Sequence, residues 1–156
     1  PDHRYTSILV QDAAYLVIVP NVTPDTPPLE KNPVFLYLED RFQKPYPFQP
    51  DIIIDITASY DKKVEALSAH ESQMFEWLPW TTNSLDEVPE GEDNRREYIA
   101  KNWSGSITTD ERKALMKWYG NDKISDIKYA ESFEICEYGK QPTDEEIKKL
   151  FPMLED

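Results

Sequence analysis

The stretch Asp51-Ile52-Ile53-Ile54-Asp55-Ile56-Thr57 constrains the fold of this chain more than any other. Three consecutive isoleucines leave neither face of a strand polar, so both faces need cover. Their β-branched side chains also fit a pleated strand better than a helix. A helical pattern follows directly, from Ser59 or soon after. Val64, Leu67, Met74 and Leu78 form its stripe, with His70 lying between Leu67 and Met74. Strand, tight turn, helix is the grammar of α/β proteins, whose inner strands run parallel and are buried on both sides. The expected fold class is therefore α/β, built on a mostly parallel sheet.

The remaining segments are shorter. A helix is expected through residues 6–19, with Ile8, Leu9, Ala13 and Leu16 on its inner face and Pro20 as its stop. Val34-Phe35-Leu36-Tyr37-Leu38 reads as a buried strand, and Phe42 to Pro50 as irregular. Residues 80–106 read as a long loop insertion with a short helix around Arg95–Lys101. Thr108-x-x-Glu111 and Thr143-x-x-Glu146 are capping boxes that open two further helices. Gly120 can end the first of these, and Pro152 lies just past the second. Tyr129 to Tyr138 has strand character.

Composition narrows the function. The chain has 13 prolines against four glycines, which implies stiff, extended connections. A net charge of −13 argues against nucleic acid and anionic membranes as partners. Its carboxylates are spread along the chain as far as Glu155 and Asp156, as on a solvated surface. No apolar run approaches the roughly 18 residues that a transmembrane segment needs. One cysteine, Cys136, excludes an internal disulfide. With a glutamate on either side it reads as a small buried hydrophobe rather than a nucleophile.

Two histidines, His3 and His70, are the only imidazoles. His3 sits at a helix opening beside Asp2, and an imidazole held there by a carboxylate makes a good zinc ligand. His70 reads as a core histidine or, with Gln73, as part of a pocket. Glu131 is a carboxylate within a strand, for which a solvent-facing position is the default. Trp77, Trp80, Trp103, Trp118 and Tyr119 are mostly packing, though the Trp77–Trp80 segment can offer a ring to a sugar. There is no glycine-rich phosphate loop and no Gly-x-Ser-x-Gly elbow.

Pro1-Asp2-His3-Arg4 resembles the second signature of the PIG-L/LmbE family of zinc-dependent N-acetylglucosaminyl deacetylases. Ala66-Leu67-Ser68-Ala69-His70-Glu71-Ser72-Gln73 and Tyr129-Ala130-Glu131-Ser132-Phe133-Glu134 look like later stretches of the same family, in order. The resemblance implies a Rossmann-like, three-layer fold with long insertions. It also implies zinc as cofactor and an N-acetylated sugar or glycoconjugate as substrate. His3 falls on one of the three zinc ligands and Asp2 on the aspartate that supports it. Arg4, His70, Gln73 and Glu131 become candidate pocket positions. The other two ligands and the aspartate general base belong to a first signature, Ala-His-Pro-Asp-Asp-Glu, which these 156 residues lack. The implied reaction hydrolyses an acetamide to acetate and a free amine. Water is activated at zinc, and a carboxylate takes its proton.

On this reading residues 1–156 are the C-terminal portion of one deacetylase domain and hold an incomplete site. A missing N-terminal half, or self-association, is expected to cover the open sheet edge. The rival reading is a non-catalytic sugar-binding or interaction module with His3 idle.

Overall fold

A computed structural model describes residues 2–40, 43 and 46–154. Pro1 of the first motif, Phe42 and Pro45 of the irregular stretch, and the terminal Glu155 and Asp156 lie outside the described residues.

The triple isoleucine forms β2 (Ile52–Asp55), and Ile52, Ile53 and Ile54 are all buried. Its sheet, however, is antiparallel. β3 (Ala130–Ile135) is the middle strand, with β1 (Leu36–Leu38) on one side and β2 on the other. Ile52 pairs with Phe133, Ile53 with Ser132 and Ile54 with Glu131. Leu36 pairs with Ile135 and Leu38 with Phe133. The described residues contain no parallel strand pair and no Rossmann-like layering, so the expected parallel three-layer fold is corrected. The reason is physical. Consecutive isoleucines report burial on both faces and carry no information about strand direction.

Here both faces are covered without a parallel sheet. On the Ile53 face, Ser132 reaches Glu111 of α5 (Thr109–Tyr119). On the Ile52 face, Phe133 meets Phe151, with ring centroids 5.6 Å apart. Phe151 follows α6 (Asp144–Leu150). Side chains of α5 also satisfy backbone groups at both ends of β2. Trp118 Nε1 donates to Asp51 O at 2.9 Å, and Asp55 N donates to the Tyr119 hydroxyl at 2.9 Å. An edge strand tied in this way offers less template for a foreign strand. Ala114, Leu115, Trp118, Ile127, Ile147 and Leu154 complete this core.

Both capping boxes form as the sequence predicts. Thr108 opens α5 and Thr143 opens α6, each accepting from the amide three residues on. Gly120 ends α5 with φ at 75°, a conformation that costs a residue with a Cβ.

A second core lies under the helices that follow β2. α2 (Tyr60–Ser68) leads into a six-residue π-helix (Ser72–Trp77), then α3 (Leu78–Thr81) and α4 (Glu92–Asn102). Tyr60, Val64, Met74, Phe75 and Ile99 are buried together there. The short helix expected around Arg95–Lys101 is α4, and its fully buried Ile99 anchors the expected insertion over residues 80–106 to this core. The Tyr60 and Tyr129 rings stack at 3.6 Å and connect this core to the segment entering β3.

α1 (Asp2–Leu16) departs furthest from its expected packing. Ala14 is its one buried residue, while Ile8, Leu9 and Leu16 of the expected inner stripe are exposed, as are Tyr5, Val10 and Tyr15. The helix is apolar on more than one side, so spacing alone selects the wrong stripe. Gln11 Nε2 donates to the Tyr37 hydroxyl at 2.6 Å, and Leu29 N donates to Val17 O at 2.9 Å. The first ties α1 to β1, and the second ties the loop that follows to the end of the helix. Among the described residues, no helix is long and apolar enough to cross a membrane.

Candidate functional site

Asp2, His3 and Arg4 form the first turn of α1, and all three side chains are exposed. The backbone amide of His3 foremost, and that of Asp2 itself, hold the Asp2 carboxyl below the usual aspartate range, and the nearby imidazole acts in the same direction. Free amides at a helix start favour an anion in this way. The Arg4 guanidinium turns back over the Tyr5 ring, 5.0 Å from its centroid. His3 is therefore an accessible imidazole beside a carboxylate that stays ionised.

His70 is exposed rather than in the core. α2 stops at Ser68, and the chain re-enters a helix only after His70. The His70 carbonyl accepts from Gln73 N at 3.1 Å and Met74 N at 2.9 Å, starting the next helical segment. Leu67 and Met74 therefore belong to two segments, and the single continuous stripe that would have buried His70 does not exist. Gln73 is likewise exposed, on the π-helix. Glu131 pairs with Lys63 at 2.9 Å in a partly exposed position.

A cleft of about 520 Å³ lies between the end of α2 and the start of α4. Glu65, Ser68, Glu71, Phe75, Arg95 and Arg96 line it; Ser68 and Glu71 belong to the Ala66–Gln73 stretch, whereas His3, Arg4, His70, Gln73 and Glu131 do not line it. Its guanidinium groups are largely engaged. Arg96 pairs with Glu65 at 3.0 Å. Arg95 lies 4.9 Å over the Phe75 ring and donates from Nε to Pro89 O at 3.3 Å. A second cleft, about 230 Å³, includes Glu39, Asp40, Asp110 and Glu111. Both Glu111 oxygens already accept hydrogen bonds there, from Thr108 and Ser132.

Two arrangements take their shape only in the fold, the first unforeseen and the second foreseen only as a segment able to offer a ring. The Tyr37 hydroxyl is a hub: Gln11 donates to it, Cys136 Sγ donates at 3.1 Å, and it donates to Glu137 Oε2 at 3.1 Å. Burial, with the Cys136 bond second, pushes the Tyr37 phenol up from its ordinary value. Cys136 is buried as expected, at 1% exposure. The other is an exposed indole pair. Trp77 and Trp80 stack with centroids 5.6 Å apart and planes 23° apart, yet stay 52% and 61% exposed. Their spacing of three on a helix is a signal visible in the sequence.

Among the described residues, no three His, Cys, Asp or Glu side chains converge into a group able to hold a metal ion. No protein-family model matches the chain, and no solved structure matches it.

Proposed function

We propose that this chain contributes one zinc ligand, His3, to a zinc-dependent N-deacetylase. The substrate class is an N-acetylated sugar or glycoconjugate, with N-acetylglucosamine as the type. The observation that carries the proposal is His3 in the opening turn of α1, exposed, with Asp2 held ionised at its side. The three motif-like stretches, standing in family order, support the same reading.

The part played by this chain is limited. His3 presents an imidazole nitrogen, and the negative charge of Asp2 nearby favours a bound cation. The remaining ligands and the general base come from polypeptide beyond these 156 residues, in the same protein or in a partner. The exposed apolar side of α1 offers that polypeptide a surface to pack on. When bound, zinc supplies an activated water for amide hydrolysis.

The test is metal content by elemental mass spectrometry on the protein isolated with the polypeptide it naturally carries. Near-stoichiometric zinc is expected, together with release of acetate from an N-acetylglucosaminide. Changes outside the direct ligands already cost about 10–100-fold in metal affinity. His3→Ala should exceed that range and abolish acetate release. Zinc and activity that survive His3→Ala would remove His3 from the site. A protein without zinc would return the chain to a non-catalytic module.

A further inference from the structure

Trp77 and Trp80 stack on one another, yet more than half of each side chain remains open to solvent. Burying an indole is worth much more than leaving it wet, so two wet, ordered rings side by side mark a recognition surface. Their backbone is unusual as well. Trp77 closes the π-helix and Trp80 lies in the short α3, and π-turns occur frequently at functional sites. Between them Pro79 is buried, which fixes the segment to the body while the rings face outward.

The surroundings select the ligand. Gln73 and Glu76 each lie one turn before an indole, and both are exposed, as is Thr81 after the pair. The indoles are thus flanked by an amide, a carboxylate and a hydroxyl, the last donating to Leu78 O at 2.7 Å. Two indoles supply far less than the roughly 800 Å² per side that a standard protein interface buries. Stacked nucleobases would bring phosphates, and a chain with net charge −13 offers them no basic groove. An anionic bilayer meets the same repulsion. A neutral pyranose suits both features. The C–H face of its ring lies on the electron-rich indole, and its hydroxyls reach the amide and carboxylate.

We propose that Trp77 and Trp80, flanked by Gln73 and Glu76, form a stacking platform for a neutral pyranose ring. The platform is separate from His3 and needs no metal, so its success or failure is independent of the deacetylase reading.

The experiment titrates the chain with a neutral chito-oligosaccharide, N,N′,N″-triacetylchitotriose. It follows tryptophan fluorescence and the indole N–H resonances. A saturable change is expected, with Kd on the order of 1 mM and movement at two of the four indole signals. Trp77→Ala and Trp80→Ala should each weaken binding about tenfold, while Trp80→Phe retains part of it. Both rings are exposed, so these variants should keep the far-ultraviolet circular dichroism and melting temperature of the parent. No saturable change, or binding unaltered in both alanine variants, would overturn the proposal. So would saturable binding of single-stranded DNA or lipid vesicles in place of the sugar.

Discussion

Glu111 is the side chain on which most of the polar interior depends. It is 7% exposed, and Ser132, itself 2% exposed, donates to its Oε1 at 2.5 Å. Its Oε2 accepts from Thr108 N at 2.8 Å and from Thr108 Oγ1 at 2.9 Å. One carboxylate therefore caps α5 and ties it to the middle strand. Glu111→Ala should cost roughly 2–4 kcal/mol, from one lost cap and a buried serine left without its acceptor. Glu111→Gln should cost about 1–2 kcal/mol, because its carbonyl still accepts from Thr108 and its amide can donate to Ser132. Urea unfolding of the two variants measures the difference. Equal losses would mean that charge, not hydrogen-bond geometry, is what the site requires. The capping role was legible in the sequence because a box is a local signal spanning four residues. The bond to Ser132 was not, because nothing local links residues 111 and 132.

Among the elements, β1 owes its position to a glycine outside it. A Cβ on Gly139 would come within 2.9 Å of Pro33 O and 3.0 Å of Phe35 N, both backbone atoms that cannot swing aside. Lys140 N donates to Pro33 O at 2.8 Å and Cys136 N to Phe35 O at 2.9 Å, so the turn after β3 lies directly on the approach to β1. Gly139→Ala should lower stability by about 1–3 kcal/mol, read by chemical denaturation, and should weaken protection of the β1 amides first. An unchanged midpoint would show that the two backbones can part enough to admit a methyl group. Most elements could be placed from sequence, since β1, β2, β3, α5 and α6 each carry a run or a cap of their own. Strand direction could not, because it depends on which strand, dozens of residues away, fills the middle of the sheet. His70 failed for a related reason. A stripe at helical spacing presumes an unbroken helix, and the break after Ser68 falls inside it.

At the scale of the molecule the unusual feature is α1. Its outer side carries Tyr5, Ile8, Leu9 and Leu16 in the open, with Leu9 at 68% exposure. Leu9→Ser should change the stability of the 156-residue chain by less than about 0.5 kcal/mol in a thermal or urea melt. A loss above about 2 kcal/mol would mean that the outer face is covered in solution, even by copies of the chain itself. Of the candidate site, His3 and Asp2 could be singled out as an imidazole and a carboxylate at a helix opening, and Arg4 only through resemblance to a family. The indole pair needed the fold, since exposure is decided by what packs nearby.

The π-helix between His70 and α3 has one more consequence. A π-turn holds one residue more than an α-turn, and each residue in an ordinary helix advances the chain by about 100°. Shortening Ser72–Trp77 by a single residue would let the segment relax to ordinary helical pitch and keep its backbone hydrogen bonds. Everything downstream would then turn by about that angle, carrying the indoles away from their present outlook while Pro79 left its seat. The surplus residue thus works as an indexing device. It decides which side of a short helix the molecule shows to the world, independently of what that helix is made of.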